Sequence, residues 1–478
     1  MLFNSLSYAL FLPIVFWLYW FVTNKSLKWQ NIMLLTASYF FYGCWDWRFV
    51  FLLAFSTLLD YYSGLVIGNA TSQTKKKFWL ILSVGINLGF LAVFKYYNFF
   101  ISSFAELLGT FGFKAHFATL QVILPVGISF YTFHGLSYVF DIYNNRIKPT
   151  TNLVNYTLFV SFFPLLVAGP IERATHLLPQ IEKTRAFNRT KAVDGLRQIL
   201  WGLFKKIVIA DNCATYANMI FNNSEDYSGG GLFLGALFFT FQIYGDFSGY
   251  SDIALGSARL MGFELLKNFN YPYFSRDMAE FWRRWHISLS SWFKDYVYIP
   301  LGGSAGGNWM RCRNTFIIFL VSGFWHGANW TFIIWGLLNA LFIMPSILLR
   351  SNRSNMDIIA KGRIFPDPID FAKMLLTFVL AVFAWIFFRA ASVTEAVDFT
   401  MRIFDFGAAS KAVDAPIYLY LLISFFMIIE WIGRENDFAI QKLGLKWTAA
   451  PRWLFYYSLL FLIYLFFGKD EQFIYFQF

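Results

Sequence analysis

Charge is scarce in this sequence. Only 14% of its 478 residues are Asp, Glu, Lys or Arg, against roughly a quarter in soluble proteins. So few charges cannot clothe a water-facing surface of this size, which excludes an ordinary soluble enzyme. Cysteine is scarcer still: Cys44, Cys213 and Cys312 stand apart, with neither a CxxC pair nor a disulfide framework. The five histidines occur without HExxH or a His/carboxylate spacing, which argues against a hydrolytic zinc site. The absence of a GxSxG elbow argues against a serine hydrolase. GGSAGG at 302–307 lacks the Lys-Ser/Thr of a P-loop and reads as a flexible turn, although its amides offer a place for phosphate. No Pro-, Ser- or charge-rich linker divides the chain. It therefore reads as one membrane-embedded domain over 1–478, with N-terminal helices to 150, a central core over 151–350 and C-terminal helices from 351. No internal repeat is visible, which weakens an inverted-repeat transporter.

What is present is apolar and aromatic: 58% hydrophobic residues, 61 Phe, 26 Tyr and 18 Trp. Aromatic rings suit both the core and the headgroup belts of a bilayer. A span needs about 20 mostly apolar residues. Candidates are 6–23, 31–45, 49–68, 78–100, 121–142, 153–170, 231–247, 314–331, 332–349, 370–388, 416–433 and 453–468. The fold class is thus an all-α polytopic membrane protein of about 10–13 membrane helices, with re-entrant or interfacial helices besides. The formal charge of +11 lies in short clusters between these runs, a topology signal rather than a nucleic-acid surface. Lys25/Lys28, Lys75–Lys77 and Arg146/Lys148 are separated by even numbers of spans. The positive-inside rule then puts both termini outside the cytoplasm. No Lys or Arg precedes Lys25 and no small-residue cleavage site follows Leu6–Val22, so the first segment reads as a retained span.

The middle third departs from simple spans. GPIER at 169–173, YGDFSGYSD at 244–252 and the stretch 268–307 interrupt apolar sequence with Gly, Pro and charge. Irregular backbone at membrane depth is tolerated only when buried in protein or lining a wet cavity, so a polar interior is expected here. The centre of 268–303 reads as one amphipathic helix. Phe281, Trp285, Leu289 and Trp292 form its aromatic face; Arg283, His286 and Ser290 form its polar face. Glu280 lies three and four residues before Arg283 and Arg284, where helical ion pairs form. Two readings stand: an interfacial helix with self-satisfied charges, or a site, since intramembrane charge usually marks one.

In SGFWHGANW (322–330), His326 lies in an uncharged run from Asn314 to Leu349. On a helix it shares a face with Ser322, Asn329 and Trp330. Imidazole suits proton transfer near neutrality, but a histidine packed across helices fits equally well. His134 reads as packing, and His116 and His176 fall in loops. Asp246 and Asp252 stand among the glycines Gly245 and Gly249, a pattern for a cation, for orienting a histidine, or simply for capping. Glu172 and Arg173 end a span near the interface.

LPVGISFYTF (124–133), AGPIER (168–173), YGDFSGYSDIALG (244–256), the 36 residues from Asn268 to Gly303, SGFWHGANW and the closing FIYFQF (473–478) occur in this order across nearly the whole chain. Together they resemble the membrane-bound O-acyltransferase (MBOAT) family, in its bacterial alginate O-acetyltransferase-like branch. The resemblance implies tilted helices around a central funnel or tunnel, with His326 and His286 as catalytic residues. It implies an acyl thioester donor, commonly acetyl-CoA, and no bound cofactor or metal. Arg283, Arg284, Ser290, Ser322, Asn329 and Asp246 become candidates for binding the donor or substrate. The expected partner is an extracytoplasmic acetyltransferase that completes transfer to a polysaccharide, and the expected location is the inner membrane. Alternatives are O-acetylation of peptidoglycan, D-alanylation of teichoic acid, or a transporter or flippase that forms no bond.

Overall fold

In lipid no water is available to backbone amides, so apolar runs fold as helices that satisfy their own hydrogen bonds. The computed structural model describes residues 1–113, 123–167, 169–405, 411, 413–468, 471 and 473–474. Among them the regular structure is helical, apart from one isolated bridge between Tyr227 and Lys411. The all-α expectation holds. Among the described residues five helices are long and apolar enough to cross a bilayer: Arg48–Asn69, Gln73–Thr110, Trp330–Leu348, Pro368–Arg389 and Ala449–Phe466. Leu6–Val22 and Ile417–Gly433 are shorter apolar helices.

Two expected elements come out differently. Residues 153–170 do not form one helix, because Leu153–Ser161 stops at Phe162 and Phe163–Leu166 begins anew with Pro164 in its first turn. Pro164 has no amide to continue the ladder. YGDFSGYSD, expected to interrupt a span, instead runs unbroken through the 32-residue helix Gly229–Leu260. Its glycines serve close approach: a Cβ on Gly249 would stand 2.8 Å from the carbonyl oxygen of Gly202, and one on Gly202 would stand 2.6 Å from that of Gly249.

The described residues divide into two compact units. The first comprises Met1–Ala192 and Ser257–Leu266. A cluster of its buried polar groups is paired internally: Asp60 accepts from Ser83 Oγ at 2.6 Å and from Asn87 Nδ2 at 2.8 Å. His134 is fully buried with Phe159 at 6.0 Å between ring centres, a packed residue as expected. His176 is not in a loop but in the helix Ala174–Ile181. Its Nδ1 lies 2.8 Å from the Glu172 carboxylate, which raises the imidazole above its ordinary range. Glu172 is itself buried and accepts from the Leu266 amide at 2.5 Å. His116 lies outside the described residues.

The second unit, Val193–Gly256 with Lys267–Phe478, carries both His286 and His326. Its core is built on indoles: Trp201, Trp285, Trp335 and Trp385 are almost wholly buried. Lys205 and Lys206 occupy a π-helical turn, Phe204–Ala210, and both are buried. A buried ammonium is tolerable only when paired. Lys205 meets Asp252 at 2.6 Å; Lys206 meets Asp211 at 2.7 Å and Asp246 at 2.8 Å.

Candidate active site

His326 is the last residue of the helix Gly307–His326. Gly327 is extended, and Asn329 starts the helix Trp330–Leu348 by accepting the Thr331 amide at 3.0 Å. The sequence dictates this hairpin: Gly-Ala-Asn breaks the run, and Asn is a preferred N-cap. The two arms touch at backbone distance, since a Cβ on Gly323 would stand 2.2 Å from Phe332 O and one on Gly336 would stand 2.3 Å from Phe319 O. His326 is thereby fixed at the turn and buried. Its ring is walled by Trp325 at 4.8 Å, Trp335 at 5.0 Å and Phe388 at 5.4 Å between centres. These walls exclude water, and electrostatic effects are stronger in a dry site.

The helical face expected to unite His326 with Asn329 and Trp330 does not exist, because the helix ends at His326 itself. Ser322 remains one turn earlier and buried. Asn329 spends its side chain on the cap and on Ala391 O at 2.9 Å, and Trp330 is exposed.

The single amphipathic helix expected at the centre of 268–303 is also broken. Met278–Arg284 ends, Trp285 is extended, His286 adopts a left-handed conformation at φ 42° and ψ 53°, and Ile287–Phe293 follows. A non-glycine residue there is uncommon and persists only when its surroundings impose it. Here the strand-like pair around Asn268 imposes it: Asn270 N donates to Arg284 O at 3.0 Å, and Ile287 N to Asn268 O at 2.9 Å. Ser288 Oγ adds a bond to Asn268 Oδ1 at 2.5 Å. The break turns the fully buried His286 ring toward Phe247 at 4.7 Å and Trp325 at 6.1 Å. Trp325 thus stands beside both imidazoles. The polar face is scattered accordingly, with Ser290 Oγ bonded to Trp285 O at 3.4 Å.

The charges of 276–284 are consumed by protein. Glu280 receives Arg276 Nε at 3.0 Å and Arg284 Nη2 at 2.7 Å, and Arg276 also meets Asp357 at 2.8 Å. Arg276 holds the Asp357 carboxyl below the usual carboxylate range. Arg283 donates to the carbonyls of Asn352 at 2.6 Å and Asn355 at 2.8 Å. Arg283 and Arg284 therefore tie down the 352–357 loop. Asp246 accepts from Ile474 N at 2.7 Å besides its lysine, so its carboxylate is engaged by protein groups. Among the described residues no cluster of three or more His, Cys, Asp or Glu side chains is arranged to hold a metal ion.

Sequence reasoning missed Trp325, Trp335 and Phe388 as site walls. A hairpin turn at Gly327–Asn329 is the signal that would have brought Trp335 back to His326. Asp357 lies in a loop with no periodicity to reveal it.

Residues 144–388 match the family described as MBOAT, membrane-bound O-acyltransferase family. The chain is similar to the probable alginate O-acetylase AlgI of Pseudomonas aeruginosa, 38% identical over 87% of this chain and 79% of that protein. It is 39% identical to the probable alginate O-acetylase AlgI of Azotobacter vinelandii, over 93% of this chain and 86% of that one. It is 36% identical to the peptidoglycan O-acetyltransferase of Helicobacter pylori, over 83% and 78% respectively. Match and geometry fall on the same residues, since the matched stretch contains both buried histidines and Trp335. The chain belongs to the membrane-bound O-acyltransferase family.

Proposed function

We propose that this protein takes acetyl from acetyl-CoA at the cytoplasmic face of the inner membrane for O-acetylation of an exopolysaccharide such as alginate. The observation that carries this reading is the pair of buried imidazoles sharing one indole wall, each fixed by a helix break. The relatives named for alginate O-acetylation support acetyl and an exopolysaccharide. His326 acts as general base. It removes the proton of the attacking hydroxyl as the oxygen adds to the thioester carbonyl; the C–S bond then breaks, and the proton passes to the departing thiolate. General base catalysis of this kind contributes about 10²–10⁴-fold. His286 positions the thioester from its side of Trp325. The acceptor hydroxyl belongs to the glycan or to an extracytoplasmic acetyltransferase that passes the group on, and both termini of this chain face that side.

The relative in Helicobacter pylori supports a second acceptor, peptidoglycan. D-alanylation of teichoic acid has weaker support, because the Streptococcus thermophilus relative so named matches only 47% of this chain. Replacing His326 with Ala in cells, at unchanged protein level, is expected to abolish O-acetylation of the exopolysaccharide. Undiminished exopolysaccharide acetylation would refute the assignment. Loss of acetyl from peptidoglycan instead would move the acceptor to the second reading.

A further inference from the structure

We infer that Trp335 is a further catalytic residue, its indole N–H donating to the carbonyl oxygen of the acyl group attacked at His326. The inference rests on the reading of His326 given above. Trp335 is about as buried as a side chain can be, with 1% of its surface exposed, and its Nε1 has no hydrogen-bond partner among the described residues. A buried indole N–H usually finds an acceptor, and leaving one unsatisfied costs roughly 1–3 kcal/mol.

Two other buried indoles of the same unit keep this rule, whereas Trp385 Nε1, like that of Trp335, has no partner among the described residues. Trp201 Nε1 donates to Glu430 at 2.9 Å. The most telling contrast is Trp282. It packs against Trp335 at 5.6 Å between centres, yet its Nε1 is satisfied by Asn339 Oδ1 at 3.1 Å. Asn339 lies one turn beyond Trp335 on the same helix, so an acceptor was within the reach of local sequence and serves the neighbour instead.

The surroundings narrow what the orphan donor can meet. Trp335 is stacked on Trp385 at 5.7 Å and flanked by Trp282 and by Phe388 at 5.1 Å. Only one of its ring neighbours is an imidazole, that of His326, at 5.0 Å with the planes nearly perpendicular. The two rings are in contact, and an acyl carbon held for attack at His326 is placed, on this inference, beside Nε1. When the hydroxyl oxygen adds to that carbon, the C=O electron pair moves onto the carbonyl oxygen. The N–H is then a fixed donor for the resulting oxyanion, in an aromatic enclosure that needs no reorganisation. When the thiolate leaves, the pair returns to re-form C=O. Removing one such donor in other enzymes lowers kcat by about 10²–10³-fold.

The test is to replace Trp335 in the full-length purified protein by benzothienylalanine, which keeps the fused ring and substitutes sulfur for the N–H, and separately to make Trp335→Phe. Thiol release from acetyl-CoA in the presence of alginate oligosaccharide gives kcat and KM. Both variants are expected to lose about 10²-fold in kcat, with KM for acetyl-CoA within about threefold of wild type. A purely packing role predicts that the benzothienyl isostere keeps wild-type kcat, and that result overturns the inference. A rise in KM at unchanged kcat also overturns it, because the bond would then be a ground-state one. His326→Ala run alongside separates the two levels. If that variant turns over normally, the reading of His326 fails. If it is dead while the isostere is fully active, only the inference about Trp335 fails.

Discussion

Two stretches of the second unit, some forty residues apart in sequence, solve opposite problems. The most charged, Arg276–Arg284, uses its ions as scaffold: Glu280 gathers Arg276 and Arg284, and Arg283 grips two loop carbonyls. The least charged, around His326, surrounds one imidazole with aromatic rings. Charge density is therefore a poor guide to chemistry in a membrane protein. Ions that must be buried are satisfied by one another, whereas the imidazole of His326 is enclosed by aromatic rings.

The comparison breaks most visibly at Glu280. Glu280→Ala takes the carboxylate from the buried Arg284 and leaves Arg276 with Asp357 at 2.8 Å, and breaking a buried pair costs roughly 3–5 kcal/mol. Thermal melting of the purified protein is expected to fall steeply, while the fraction that stays folded keeps its rate of acetyl transfer. If transfer were lost with the melting temperature unchanged, the charges would belong to the site after all.

A smaller effect is expected at Asp277, whose side chain caps the Met278–Arg284 helix at Glu280 N and accepts Asn355 Nδ2 at 2.6 Å. Asp277→Ala should cost about 1 kcal/mol, read as a modest shift in the same melting curve with kcat untouched. The smallest effect concerns pH. Asp357 has a depressed folded pKa because Arg276 bonds its carboxylate. Its contribution is present above the unfolded value, near 3.9, and is lost as pH falls through the folded one. With 67% of the side chain exposed, screening holds it below about 1 kcal/mol. Asp357→Asn should flatten only the acid limb of the stability profile; a change near neutrality would assign Asp357 another role.

Much of this was legible in the sequence. Apolar runs of span length became helices because lipid leaves the backbone no alternative. Two adjoining helices were readable from the runs 314–331 and 332–349, but the turn between them lies earlier than that boundary, at Gly327–Asn329. Burial of His134 followed from its aromatic neighbours. What could not be read was set by tertiary contacts. The left-handed turn at His286 depends on Asn268 and Asn270, sixteen to eighteen residues upstream, so periodicity alone drew one helix where there are two. Gly245 and Gly249 looked like breaks, yet the second meets Gly202 in helix packing. Asp246 looked free to bind a ligand until Lys206 and the Ile474 amide filled its oxygens.

The division of labour between these stretches rests on His326. The most direct test is the turnover of acetyl-CoA with alginate oligosaccharide by purified His326→Ala protein that melts like wild type. A fall in kcat of about 10²–10⁴-fold is expected for loss of the general base. Turnover within a few-fold of wild type would contradict the account and return the histidine to a packing role.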